Sequence, residues 1–387
     1  MDAKNKNGPL KGLIVIDLTR VLAGPYASMI LSDLGARIIK VEPPLGDDSR
    51  EFSPFINNQS AYFASLNREK ESIKLDLKSE KDKLIFEELI KNADILLENY
   101  KPGTMEKLGY GYKSLSKKYP NLIYASCSGF GQTGPWATKP AYDMIVQGMG
   151  GLMSVTGHEG QEPVRVGTSI GDITAGLFTT IGILASLIDK NKHGNGQAID
   201  VSMLDCQIAI LENAIARYFA TGESPPPGGS RHPAIAPFEC YRCKDGYIVM
   251  ACGNNAMFER MCKAINKPEL IEDERFKTNP KRVENVIALK HELENLFITK
   301  TSNLWIEILE KENIPIGPLN NIEEAVNSEQ IKARNMIVNI EDENFNNFYV
   351  AGNPIKMSLH NDPKSRQKVP KLDEHRSKLL KEFNIKE

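Results

Sequence analysis

The first 130 residues alternate short apolar runs with helical patterns, and that alternation restricts the fold more than any other feature. "GLIVIDL" (Gly12–Leu18) is a continuous apolar run, as strands show when their sheet is covered on both faces. "GPYASMILSDLGA" (Gly24–Ala36) follows, with Pro in the first turn and Gly near the end, the punctuation of a helix. "RIIKVEP" reads as the next strand, stopped by Pro43. "SEKDKLIFEELIKNA" (Ser79–Ala93) spaces its apolar residues helically behind a Ser cap. "DILLENY" and "NLIYASCSGFG" then return to strand. Such repetition predicts an α/β fold with a Rossmann-like, mostly parallel sheet covered by helices.

The obvious occupant of that sheet is a dinucleotide, but its fingerprint is missing. The first strand leads into "TRVLAGPYA" rather than G-x-G-x-x-G, and no G-x-x-x-x-G-K-[ST] loop occurs. With 48 basic and 50 acidic residues, bulk charge makes no case for nucleic acid or an anionic membrane. The N-terminus "MDAKNKNGPLKG" lacks the apolar stretch of a secretory signal. The most apolar stretch, Ile173–Ile188, is short and rich in Gly and Thr, so it reads as a buried helix rather than a membrane span. Six irregularly spaced Cys fit a reducing cytoplasm. Cys240 and Cys243 form a lone C-x2-C pair with no second pair at zinc-site spacing, so no metal is expected.

"TGESPPPGGSRHPAIAP" (Thr221–Pro237), with five Pro and three Gly, excludes helix and reads as a linker or mobile loop. Beyond it, "YIVMACG", "NAMFERMCKAI", "LKHELENLFITK" and "SNLWIEILEKEN" predict a smaller α+β unit. "DEHRSKLLKEFNI" is a charged amphipathic helix expected to pack back on the first domain. The expected organisation is a large Rossmann-like domain over 1–197 completed by 338–387. A linker over 198–237, a small domain over 238–320 and a return linker over 321–337 make up the rest.

Asp172 is the only charged residue between Arg165 and Asp189. It can serve as a helix N-cap, accepting an otherwise unpaired backbone N–H. The same N–H groups and the helix dipole would hold it ionised, and a positioned carboxylate in an apolar pocket suits covalent catalysis on an acyl group. Gly171 and Gly176 would let a bulky ligand approach. Tyr142, after Lys139 and Pro140, is either a half-buried tyrosine or a site residue. "GMGGLMSVTG" carries no phosphate-loop pattern, and His232 beside Arg231 is the one histidine to watch.

"LKGLIVIDLTRVLAGPYASMILSDLGARIIKVEPP", "SLNREKESIKLDL", "NADILLENYKPGTMEKLGYGY", "GFGQTGPW" and "GDITAG" together resemble the family III CoA-transferases, the CaiB/BaiF group, from about Leu10 to about Leu380. "IAPFECYRCKDGYIVMACGNNAMF" and "PIGPLNNIEEAV" resemble the dicarboxylate branch typified by succinate–hydroxymethylglutarate CoA-transferase. The resemblance implies a ping-pong transfer of CoA from an acyl-CoA, succinyl-CoA in that branch, through an aspartyl-CoA thioester on Asp172. It implies CoA contacts at Leu22, Ala23, Leu75, Lys78, Asn99, Tyr100, Lys101, Lys107, Ala141 and Tyr142. Coenzyme A thioester enters as substrate, with no permanently bound cofactor.

Arg231 and His232, with Arg165, are candidates to hold an acceptor's second carboxylate, since Arg favours bidentate recognition. The family also implies an interlocked homodimer threaded near Ala198–Thr221 and Gly317–Ile337. Three departures stand out: Pro43 where many members have Arg, Pro140 where formyl-CoA transferases have a basic residue, and Gly228–Gly229 in place of a tetraglycine lid. Two alternatives remain: an α-methylacyl-CoA racemase, whose His and Glu would fall at Tyr142 and Asn255, and an inactive CoA-binding homologue.

Overall fold

The structure is a computed structural model that describes residues 7–386. Its centre is a six-stranded parallel sheet of β1 (Ile14–Asp17), β2 (Arg37–Glu42), β3 (Glu71–Lys74), β4 (Ile95–Glu98), β5 (Ile123–Ser128) and β6 (Ala198–Ser202). The strand order is β3-β2-β1-β4-β5-β6, with Val15 in register with Ile38 on one side and Ile95 on the other. Strand order reverses between β1 and β4, and in open α/β sheets a ligand crevice forms outside the carboxyl ends at that switch point.

Helices of this unit include α1 (Ala23–Asp33), α2 (Glu80–Lys91), α3 (Asp143–Met149), α4 (Ile170–His193), α5 (Met203–Ile210) and α6 (Glu212–Thr221). One face of the sheet buries Ile16, Ile39, Ile73 and Leu96 against Phe86 and Leu89 of α2. The other buries Val15, Ile38, Leu97 and Ala125 against Ala27 and Leu31 of α1 and Ile183 of α4. Both faces are therefore dry, which is why the central strands read as unbroken apolar runs. Ser79 occupies the N-cap of α2 as expected, but its side chain makes no capping bond.

Two expectations change. Residues 198–221 are the sixth strand and helices α5 and α6 rather than a linker; Ala198 and Asp200 of the edge strand are exposed, so its pattern lacks the apolar run of a buried strand. Helix α4 is longer than the stretch 173–188, running to His193 with Gly194 left-handed at its end. By length and composition it passes as a membrane span, yet it is only partly buried. Its inner face packs on α1, β5 and β6 while Leu177, Phe178, Ile181 and Ile188 stay exposed.

A second compact unit comprises Ser154–Val164 and Glu223–Ser328. It holds the antiparallel sheet β9-β8-β7 of β7 (Phe238–Arg242), β8 (Tyr247–Ala251) and β9 (Ile316–Pro318), with α7 (Asn255–Ala264), α8 (Val286–Phe297) and α9 (Ser302–Glu310). Tyr241, Met250, Phe258, Phe297 and Trp305 fill its core. The returning chain rejoins the larger unit through β10 (Ile337–Glu341), β11 (Tyr349–Ala351), β12 (Ser365–Gln367) and α10 (Arg376–Glu382). Leu379 and Leu380 of α10 join the cluster around Ile73, and Glu382 clasps Arg37 of β2 through both oxygens at 2.6 and 2.9 Å.

Candidate active site

The loop after β1 makes the floor of the site and is fixed from two directions. The Asn99 side chain, beyond the end of β4, accepts the Arg20 N–H at 2.9 Å and donates to the Arg20 carbonyl at 2.8 Å. Asp47 Oδ1 accepts the Val21 N–H at 3.1 Å. Asp47 is itself locked, accepting the Ser49 N–H at 2.9 Å and facing the Lys40 ammonium at 2.8 Å with both side chains fully buried. Burial opposes its ionisation, but Lys40 and the Ser49 bonds hold the carboxyl well below the usual range. Val21 has φ +67°, a left-handed conformation that costs a β-branched residue about 1–3 kcal/mol.

That bend carries the chain into α1. Leu22 occupies the N-cap without a side-chain bond, and Pro25 in the first turn has no N–H at all. The Ala23 N–H has no intrahelical acceptor and faces Asp172, in the first turn of α4, across a cleft that both line. The cap of α4 is Ser169, not Asp172. Asp172 is the third residue of the helix, still in its first turn, where its carboxyl faces the start of α1.

The glycines serve packing. A methyl group on Gly171 would meet Val146 at 2.8 Å and Asp143 at 3.0 Å, and one on Gly176 would meet the Ala23 carbonyl at 2.8 Å. Protein atoms already occupy the room that was expected for a ligand.

Asp143 at the start of α3 accepts the Gly171 N–H at 2.8 Å and the Gln147 amide at 2.8 Å. Burial, then the Asp143 carboxylate, push Asp172 up to about 7 against the Ala23 N–H. The expectation of a fully ionised Asp172 is corrected: one N–H does not offset desolvation and a like charge. The neighbouring Tyr62 is pushed up to about 12 by burial and by Asp172, Asp47 and Asp143, which places its hydroxyl in their field. Tyr62 lies on the short helix Ala61–Asn67, whose apolar character reads as core, so nothing in the pattern singles it out.

A cleft of about 300 Å³ opens over this floor at the switch point. It brings together Leu22, Ala23, Asn99, Tyr100, Lys101, Ala141, Tyr142 and Asp172, all expected from sequence. Tyr142 is 75% exposed at its rim rather than half-buried. Arg20 and Lys139 also line it and were not assigned from sequence; Arg20 pairs with Asp48 at 3.1 Å and lies over the Tyr100 ring.

Three of the expected CoA contacts lie outside the cleft lining, as do the three acceptor candidates. Leu75 is buried in the core, and Lys78 and Lys107 are exposed. Arg165 lies 3.8 Å from Asp143 and donates to the Val166 carbonyl. Arg231 and His232 belong to the smaller unit, where His232 stacks on Phe238 and accepts the Ala234 N–H. Asn255 accepts a bond from buried Arg282. Among the described residues no group of three His, Cys, Asp or Glu forms a metal site, and the six cysteines are unpaired.

The family model described as CoA-transferase family III matches residues 10–376. The chain belongs to that family. Its sequence is 46% identical over 378 residues to the acetyl-CoA:oxalate CoA-transferase of Acetobacter aceti, covering 97% of this chain and 96% of that one. It is 37% identical over 380 residues to the human succinyl-CoA:glutarate CoA-transferase, covering 98% and 86%. The crystal structure of a CaiB/BaiF family protein from Brucella suis superimposes with a TM-score of 0.87 at 38% identity, covering 98% of this chain and all of that one.

Because the carboxyl of this family III enzyme is raised in the fold, the folded state holds its proton where the unfolded chain has lost it. Stability therefore falls as pH rises from about 4 to about 7. Asp172→Asn removes that penalty. Because the carboxyl is partly exposed, the variant should be about 1–2 kcal/mol more stable than the parent at pH 8, and the gap should close near pH 4. Urea unfolding at both pH values measures it; equal stability at pH 8 contradicts the assignment.

Proposed function

We propose that this enzyme transfers CoA from an acyl-CoA to a free dicarboxylic acid, with Asp172 as the acyl-accepting nucleophile. The observation that carries the reading is the placement of the Asp172 carboxyl in a cleft at the sheet's switch point, facing the start of α1, where burial and Asp143 raise it to about 7. The Asp172 carboxylate attacks the donor thioester carbonyl, forming a mixed anhydride and expelling CoA thiolate. The thiolate attacks the aspartyl carbonyl, releasing the donor acid and leaving an aspartyl-CoA thioester. The acceptor carboxylate attacks that thioester and expels the thiolate again. The thiolate then takes the acceptor acyl group, and Asp172 is regenerated.

Each addition places negative charge on a carbonyl oxygen, and a fixed first-turn N–H such as that of Ala23 offers it a donor without reorganisation. A carboxylate raised toward neutrality is also a stronger nucleophile and a poorer leaving group than an ordinary aspartate. Lys101, Lys139 and Arg20 at the cleft supply cations for the phosphates of CoA and for acid substrates. Relatives named for oxalate and glutarate support a dicarboxylate acceptor, with acetyl-CoA or succinyl-CoA as donor. A racemase would need an acid and a base across an α-carbon; position 142 is Tyr and Asn255 is engaged by Arg282, so that reading finds no pair.

The test is a transfer assay with acetyl-CoA and succinyl-CoA against oxalate, glutarate, mesaconate and hydroxymethylglutarate. We expect at least one dicarboxylate to turn over, with kcat/KM rising through about pH 7 as Asp172 ionises, and Asp172→Ala to lose at least about 10³-fold. Wild-type rates in Asp172→Ala would contradict the reading.

A second copy of the chain covers the outer face of α4 in this proposal, with 198–221 and 317–337 interlocking the pair in a cytoplasmic homodimer. Leu177, Phe178, Ile181 and Ile188 on α4, beside Met144 and Ile145 on α3, expose more apolar surface than a solvated helix face carries. Sedimentation at nanomolar concentration should find dimer; folded monomer would refute this part.

A further inference from the structure

We propose that Asp47 is a positioning residue for the transfer: by holding the Val21 N–H it keeps the loop after β1 bent so that the Ala23 N–H meets Asp172. The proposal rests on the reading of Asp172 as nucleophile. Asp47 is 1% exposed and does not line the cleft, so it cannot touch a substrate. What it touches is the backbone two residues before the donor.

The conformation it holds is one that Val21 does not choose. At φ +67° its Cβ crowds the neighbouring backbone, and isolated β-branched residues leave that region for the extended one. The bend persists because surrounding bonds over-determine it. Asp47 Oδ1 takes the Val21 N–H at 3.1 Å, and Asn99 fixes Arg20 on the preceding side. Asp47 has no freedom of its own. Its N–H is held by Glu42 at 3.0 Å, Oδ1 also accepts the Ser49 hydroxyl at 2.8 Å, and Oδ2 faces Lys40. Lys40 Nζ in turn donates to the Thr19 carbonyl at 2.7 Å, so the same pair grips the loop at two points. Releasing Val21 to an extended φ would swing Leu22 and Ala23 and take the donor from Asp172. Such strain, kept at a site by its surroundings, is where pre-organisation is expected.

Variants of the full chain are compared for kcat, donor KM and melting temperature. Asp47→Ala removes the clamp and should lower kcat by at least about tenfold while donor KM changes by less than about threefold, the pattern of a lost transition-state donor. Asp47→Asn combined with Lys40→Met keeps the Oδ1 acceptor with no ammonium opposite the amide, and should keep kcat within about threefold of the parent. Val21→Gly placed in Asp47→Ala removes the Cβ and should recover most of the lost kcat, because glycine enters the left-handed region without strain. Should Asp47→Ala not fold, Lys40→Met with Asp47→Leu removes clamp and charges together, leaving a neutral core; the same loss and the same recovery by Val21→Gly are expected of it.

Wild-type kcat in folded Asp47→Ala overturns the proposal, as does a loss that follows melting temperature and that Val21→Gly leaves in place. Asp172→Asn, run alongside, separates the two ideas. If it turns over like the parent, the nucleophile reading falls and this one with it. If it is dead and Asp47→Ala is normal, this one alone falls.

Discussion

A buried ammonium, that of Lys40, is the interaction on which the site depends. It stands in the middle of β2 with no exposure to solvent, held by Asp47 and the Thr19 carbonyl and close to Asp17. Removing one partner of such a pair costs about 3–5 kcal/mol, since a charge is left in a dry core. Nearby, Lys70 binds Asp17, Ser28 and Asn67, and burial lowers its ammonium to about 8. These charges join β1, β2, α1 and the loop above them into one piece. A lid of apolar side chains would pack as tightly but would give the loop no direction, because dispersion contacts are non-directional and hydrogen bonds are not.

The rigid floor then decides the electrostatics above it. Helices α1, α3 and α4 all begin beside the cleft, where first-turn N–H groups lack intrahelical acceptors. One helix start alone would depress a carboxyl. Here Asp143 is placed beside Asp172 and consumes the Gly171 N–H, so desolvation and like charge prevail. The consequence is a carboxyl raised to about 7. In the proposed transfer, that basicity lets it hold an acyl group until a thiolate or a second acid displaces it.

How much of this was readable beforehand follows from the physics of each signal. β1, β2 and β4 announced themselves because sheets dry on both faces select continuous apolar runs. β6 and the helices after it did not, because an edge strand with exposed Ala198 and Asp200 carries no such run. Asp172 stood out as a lone charge, yet its ionisation was misjudged, because Asp143 lies 29 residues away and its proximity is tertiary. Asn99 was expected at CoA; it lines the cleft, but its amide is spent on Arg20. Tyr62, Asp47 and the bend at Val21 had no local signature at all. Their roles come from what folds against them, which periodicity and spacing do not encode.

The account's central claim is that one carboxyl oxygen becomes acylated in each cycle. Enzyme quenched during turnover with a CoA donor, digested and analysed by mass spectrometry, addresses it directly. The account predicts a CoA-sized adduct on the peptide that contains Asp172, absent from Asp172→Asn and discharged when an acceptor acid is added. An unmodified peptide during sustained turnover would contradict it.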